Sequence, residues 1–468
     1  MTAMTALILF ACSLNIATIF GDDSIVNTIY GPIQGNVSYS GRAFTSIPYA
    51  DPPINELRWM KATEPTSWTS VLETKSDPPG CMQYCALPDW ACPTRISEDC
   101  LYLNVFTPPV SNSSIDGYPV MLFFHGGGYS QGYGGGWLYN GTNLAFTTNT
   151  IIVSANYRLG PLGWLYDDQN GIQGNQGYFD SLFALKWVKS NIKAFGGDPD
   201  RITIFGESAG SSTVSTMICD PTLFNAKLFQ NAIMESGGAN VDIKLPSDWI
   251  EYKSAFYQHL GCTDLQSQKE CIYNATSNDI LRAQELTATM NGLSGEGITG
   301  GNVSANIIMN LLQCYQTGNY NPNVNIIHGV NKDEGWFFFD KPMNQTTYNG
   351  YIVGGFGETE GKQIMIEYPC NGCNDIGYQN NAALIWTDFV MNCPTRNTSM
   401  NIAMDKNGNE NNNIWMYHFN AASTFTKDLF GFTRYHQCYD RACHSFELPY
   451  IWKPDFEYCH VCDEKTRN

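Results

Sequence analysis

Positive charge is scarce in this chain. Its 468 residues hold 26 Lys and Arg against 44 Asp and Glu, a formal net charge of −18. An acidic surface of that kind repels nucleic acid and anionic membrane, so neither is an expected partner. Long apolar runs are also lacking. Residues 6–20 form one, but it is too short and interrupted for a comfortable membrane span, and no later stretch is long enough. A basic residue before that run is missing too, a departure from the usual signal pattern. Its apolar centre and small residues still predict a secretory signal over residues 1–21, with residues 22–468 as a single domain. The polar end, residues 463–468, excludes a lipid-anchor tail. No internal repeat is evident, and 43% hydrophobic residues suffice for one large core.

Cysteine, by contrast, is plentiful. The chain has 16, and removal of Cys12 with the signal leaves an odd number, so at least one thiol is expected to be unpaired or intermolecular. Cys81, Cys85, Cys92 and Cys100 cluster together. Cys370-x-x-Cys373 and Cys459-x-x-Cys462 fit a zinc site or a redox pair, but a secreted chain favours disulfides there. Asn-x-Ser/Thr occurs at Asn36, Asn112, Asn140, Asn274, Asn302, Asn344 and Asn397, a spread that suits a glycosylated surface.

Chemistry concentrates at residues 201–210. Residues 202–205, Ile-Thr-Ile-Phe, read as a buried strand; Gly206-Glu207-Ser208-Ala209-Gly210 is a Gly-x-Ser-x-Gly turn, and a helix can start at Ala209. Strand, tight turn and helix are the setting in which a serine hydroxyl stands exposed above a sheet. Upstream, residues 120–124 form a continuous apolar run typical of a central strand, and it ends in His125-Gly126-Gly127-Gly128. Glycines after a core strand allow backbone N–H groups to approach one oxygen with no side chain in the way. Apolar runs near residues 151–154, 228–234 and 324–330 alternate with helical patterns, among them an amphipathic stretch at 180–192. That alternation predicts an α/β fold with a mostly parallel sheet and helices on both faces. Ser208, Gly127, Gly128 and Ser236 all follow strands, so they should converge beyond the strands' carboxyl ends.

The chain resembles the carboxylesterase/cholinesterase family (type-B carboxylesterases) from about residue 31 to residue 452. Carrying the resemblance are Ile47-Pro-Tyr-Ala-Asp-Pro-Pro, Ser97-Glu-Asp-Cys-Leu-Tyr-Leu-Asn, Asn156-Tyr-Arg-Leu-Gly-Pro-Leu-Gly, and the run from Ala184 through Gly196-Gly197-Asp198-Pro199 into the Ser208 turn. It implies an α/β-hydrolase fold and a serine esterase acting on small ester substrates, with no metal or organic cofactor. Ser208 would be the nucleophile and His444, in His-Ser-Phe-Glu-Leu-Pro, the base. Glu334 rather than Asp333 would be the acid, since the family places Glu immediately before the Gly of Lys-Asp-Glu-Gly. Gly127, Gly128 and Ala209 would bind the oxyanion. His125 would serve packing and hydrogen bonding, and His328, inside a strand, a structural role. The family's Gly after the histidine is Ser445 here.

The resemblance also implies disulfides Cys81–Cys100 and Cys262–Cys271, with Cys85 and Cys92 free to bridge inside the first loop. Trp90 stands where cholinesterases carry a choline-stacking tryptophan, and Phe337 and Phe338 match aromatic gorge positions. We read Trp90 instead as filling its disulfide loop. Glu207 would either support the imidazolium or act as a structural acceptor. Family members continue well past the histidine into further helices, which are apparently missing here. Cys393 matches a cysteine whose partner lies in that part, so it would be free or pair with Cys459 or Cys462. An uncovered apolar patch, lower stability or a homodimer would follow. The competing expectation is a non-catalytic relative with a structural, storage or adhesion role.

Overall fold

A computed structural model describes residues 23–110, 116–238, 249–290, 311–404, 413–422 and 435–452. The expected signal over 1–21, Asn112, Asn302, the Gly-rich stretch 291–302, most of the Asn-rich stretch 407–413, Cys459 and Cys462 lie outside the described residues.

A nine-stranded mixed sheet organises them. Its strands are β1 (Asn36–Ser38), β2 (Gly41–Pro48), β3 (Tyr102–Thr107), β4 (Tyr118–Phe124), β5 (Ile151–Ala155), β6 (Gly197–Glu207), β7 (Asn231–Glu235), β8 (Asn325–Asn331) and β9 (Ile414–Phe419). The spatial order is β9-β8-β7-β6-β4-β5-β3-β2-β1. From β5 through β9 every pairing is parallel, while β3, β2 and β1 close the other edge antiparallel. The central strands are largely apolar where both faces are covered, as in residues 120–124 and 202–205. Val120, Leu122, Ile202 and Ile204 point into one core, and the alternate residues Phe123 and Phe205 point into the other.

Helices α1 (Thr142–Thr148), α2 (Gln176–Asn191), α3 (Ala209–Cys219), α4 (Gln345–Phe356), α5 (Glu358–Glu367), α6 (Asp375–Trp386), α7 (Cys393–Met404) and α8 (Leu448–Trp452) matter most for the site. Helices α2 and α3 pack on the first face, α1 and α8 on the second. Every residue of α3 is buried. Ser212, Thr213 and Thr216 tolerate this because their hydroxyls turn back to carbonyls one turn earlier, as Thr216 does to that of Ser212 at 2.8 Å, and Ser215 meets the Tyr315 hydroxyl at 2.9 Å. Helix α2 corrects the amphipathic reading of 180–192. It starts at Gln176, and Asp180 is fully buried because the Arg158 guanidinium neutralises it through two bonds of 2.7 Å.

Towards the β9 edge the second face carries apolar residues that are partly exposed among the described residues. Phe205, Ile233, Ile327 and Trp415 form one cross-strand row. Among the described residues, exposure climbs along it from buried Phe205 to 38% at Ile327 and 55% at Trp415.

The described residues hold six disulfides. Cys81–Cys100, Cys85–Cys92, Cys262–Cys271 and Cys370–Cys373 were expected. Cys219–Cys314, 95 positions apart, and Cys438–Cys443, five apart, were not expected. Among the described residues Cys393 has no disulfide partner, and it is exposed.

Candidate active site

Ser208 sits between β6 and α3 with φ 57° and ψ −120°, a strained backbone for a residue with a Cβ. The surroundings enforce it. Its N–H donates to the Glu235 carbonyl at 2.9 Å, and its carbonyl accepts from Ser212 N–H at 3.1 Å. Strand and helix approach so closely that a Cβ on Gly210 would lie 1.9 Å from the Phe124 carbonyl oxygen. Only glycine fits there.

His444 follows the short Cys438–Cys443 disulfide loop and is 3% exposed. Its Nδ1 lies 2.6 Å from Oε2 of Glu334. Glu334 opens the turn after β8, and its other oxygen accepts from Asn331 N–H at 2.7 Å. The neighbouring Asp333 instead accepts from Ala442 N–H at 3.2 Å, so it braces the histidine loop and not the ring. Thr387, in the wide helical turn after α6, accepts from Gly335 N–H at 2.8 Å and pins the acid's turn.

Nε2 of His444 faces Oε1 of Glu207 at 3.1 Å, off the line of a hydrogen bond. Among the described residues no hydrogen bond joins it to Ser208. Burial pulls the imidazole pKa down, but the charges of Glu207 and Glu334 outweigh that and raise it to about 9. Two further buried glutamates stand behind. Burial, together with the charges of Glu207 and Glu334, raises Glu447 to about 8. Burial and the charge of Glu447 push Glu235 well above the ordinary carboxyl range.

The loop after β4 completes the site. Gly127 has φ 109° and Gly128 φ 62°, and a Cβ on Gly127 would lie 2.2 Å from the Gln131 carbonyl oxygen. His125 anchors the loop as expected. Its ring stacks on Tyr157 at 4.3 Å, and its carbonyl accepts from the Tyr157 hydroxyl at 2.6 Å. Burial lowers its pKa to about 4, so it stays neutral. Ser208, Gly127, Gly128, Glu207 and His444 line one cavity of about 210 Å³. Ala209 begins α3 directly after Ser208.

A model of the carboxylesterase family matches residues 22–460. The chain belongs to the carboxylesterase family. It is 37% identical to the para-nitrobenzyl esterase of Bacillus subtilis (strain 168) over 271 residues, covering 56% of this chain and 52% of that protein. It thus spans about half the length of that relative. It is 30% identical to the Crystal protein of Dictyostelium discoideum over 435 residues, covering 90% of this chain and 75% of that protein. Among solved structures, a thermophilic PNB esterase superposes with TM-score 0.78 at 27% identity, covering 95% of this chain and 88% of that one. The fold is the α/β-hydrolase fold.

Within this carboxylesterase chain the remaining expected residues fall as follows. Trp90 lines the cavity and is 3% exposed, packed edge-on to Tyr139 at 5.9 Å. Phe338 and Phe337 also line it, their rings 5.1 and 5.8 Å from that of His444. His328 is buried, its Nε2 2.9 Å from the Gly237 carbonyl oxygen. Ser236 corrects the expected convergence. It lies behind the cavity, where its hydroxyl reaches Glu447 at 3.4 Å. Asn36, Asn140, Asn274, Asn344 and Asn397 are exposed.

Sequence reasoning missed Glu447, Glu235, Trp386 and Met391. Glu447 was within reach, three positions after His444 in the same motif. Trp386 and Met391 line the cavity from the helical segment after Gly335, where no local pattern marks them.

Proposed function

We propose that this chain hydrolyses carboxylic esters through a covalent acyl-enzyme. One observation carries the reading: a strained serine and a buried histidine, held from behind by Glu334, line one cavity beside a glycine loop. Ser208 Oγ attacks the ester carbonyl carbon while His444 Nε2 takes its proton. Glu334 fixes the tautomer and stabilises the imidazolium. The oxyanion is held by the N–H groups of Gly127, Gly128 and Ala209. Collapse breaks the bond to the alkoxy oxygen, which leaves as the alcohol with the proton from His444. Water, activated by the same histidine, then releases the acid. The substrates are uncharged or weakly charged small esters, since the wall is largely apolar and aromatic and Glu207 is the one carboxylate lining it.

The test is labelling of folded protein by a fluorophosphonate probe, with Ser208→Ala as control. Stoichiometric labelling lost in the variant supports the mechanism; no labelling of native protein sinks it. The open serine side of His444 favours the second reading, a relative that binds without turnover, and the same probe separates the two. Apo enzymes often close that contact only with substrate bound.

A secreted chain with a cleaved leader, glycans on the exposed sequons and a homodimer covering the Ile327–Trp415 row completes the proposal. Six disulfides support the oxidising compartment.

A further inference from the structure

Ser445 plays no part in the reaction as outlined, yet it adopts φ 67°. That left-handed conformation favours glycine and is strained for a residue with a Cβ. It turns the hydroxyl onto Oε1 of Glu207, to which Ser445 donates at 2.7 Å. The same oxygen is the one 3.1 Å from Nε2 of His444. Glu207, His444 and Ser445 are all buried. Among the described residues, Ser445 is the one hydrogen-bond donor to the Glu207 carboxylate. A buried carboxylate with no such donor drifts to its neutral form.

We propose that Ser445 is a positioning residue for ester hydrolysis, its hydroxyl holding a charged Glu207 carboxylate against the Nε2 edge of His444. This rests on the reading of His444 as the general base. The contact acts where the proton must be carried. A charged Glu207 steadies the imidazolium formed when Ser208 attacks, from the side opposite Glu334. A turn-filling role explains neither the strain nor the bond, because glycine would take φ 67° without cost.

Several groups face His444. Glu207 comes from β6, Glu334 from the turn after β8, and Glu447 from the histidine's own segment. Glu235, on β7, acts on Glu207 and Glu447, and the Tyr139 and Tyr157 phenols feel Glu207. Burial raises the Glu207 pKa, while the imidazole and the Ser445 hydroxyl lower it. Loss of the hydroxyl therefore weakens the charge on Glu207, and with it the support for a protonated His444.

Two variants remove the hydroxyl. Ser445→Ala keeps the strained backbone, and Ser445→Gly relieves it, so folding is secured in at least one. The titration of His444 is read by NMR in protein carrying 13C-labelled histidine Cε1, assigned by loss of the signal in His444→Gln. This readout needs no turnover. In both variants the midpoint should fall by about half to one pH unit. The acid limb of kcat/KM for a p-nitrophenyl ester should move with it. Glu207→Gln should shift it further the same way, and Ser445→Gly should add nothing in that background. An unmoved midpoint in both folded Ser445 variants overturns the proposal, as does a full further shift in the Glu207→Gln background. If native protein labels with fluorophosphonate while the midpoint stays put, hydrolysis stands and the Ser445 role falls. Absent labelling overturns hydrolysis itself, and with it any catalytic purpose of the contact.

Discussion

Oε2 of Glu334 and Nδ1 of His444 meet at 2.6 Å across 110 positions of sequence. Both groups are buried, and each comes from a loop held by its own brace: Thr387 for the acid, Asp333 and the Cys438–Cys443 bridge for the histidine. A charge-assisted bond so enclosed orients the ring.

Substitution should reveal that division of labour. Ser208→Ala and His444→Ala should each lower kcat by about 10⁴- to 10⁶-fold, and the double variant should lose little more, because the group acts as a unit. Glu334→Gln should cost roughly ten- to a hundredfold less than either. Asp333→Asn should leave kcat within about tenfold, since it alters a brace and not the ring. Steady-state kinetics decide the matter: a larger loss for Asp333→Asn than for Glu334→Gln would put the acid at the wrong residue.

The pH profile follows from the charges on His444. A base must be neutral to take the serine's proton, and the pKa of this one is raised to about 9. The acid limb of kcat/KM in the free enzyme should therefore lie near pH 9, well above an ordinary imidazole. A limb at or below 6.5 would contradict the double carboxylate contact.

Stability should run the other way. Between its ordinary value of 6.5 and about 9, His444 holds a proton in the folded protein that the unfolded chain has lost. Glu447 does the same between 4.5 and about 8. Folding is thus favoured at the acid side of this window and weakened as pH rises through it. Calorimetric melting temperatures should be lower at about pH 9 than at about pH 6. A rise across that interval would reject the proton count.

Trp90 offers a test of substrate charge. It is packed against Tyr139 inside the Cys85–Cys92 loop, so its main contribution is burial. Trp90→Ala should destabilise the fold by about 3–5 kcal/mol in urea unfolding. A p-nitrophenyl ester should show a higher kcat/KM than the choline ester of the same acid. Strong preference for the choline ester would overturn the filling role and make the tryptophan a cation–π site.

Thiol mapping addresses the cysteines. Iodoacetamide should alkylate Cys393 in native protein, because it is exposed and has no disulfide partner among the described residues, and should leave Cys219 and Cys314 untouched. Peptide mass spectrometry reads this directly. A protected Cys393 would mean that it has a partner beyond the described residues.

What the sequence determined by itself was local. The strand, turn and helix around Ser208, the glycine loop after β4 and the four expected disulfides each lie within one contiguous stretch, where propensity, spacing and close backbone approach act over a few residues. The tertiary structure alone decided what depends on segments brought together. It set Asp333 on the backbone of Ala442 while Glu334, which the family resemblance already favoured, lies on the ring. It paired Cys219 with Cys314 across 95 positions, set Ser236 behind the cavity, and brought Trp386 and Met391 into the cavity wall. It joined the Ser445 hydroxyl to Glu207 across 238 positions, at a site where the sequence showed only a serine in place of glycine. The reason is physical: such contacts depend on how helices and loops pack over the sheet, and no local pattern of residues encodes which distant partner a buried polar group will meet.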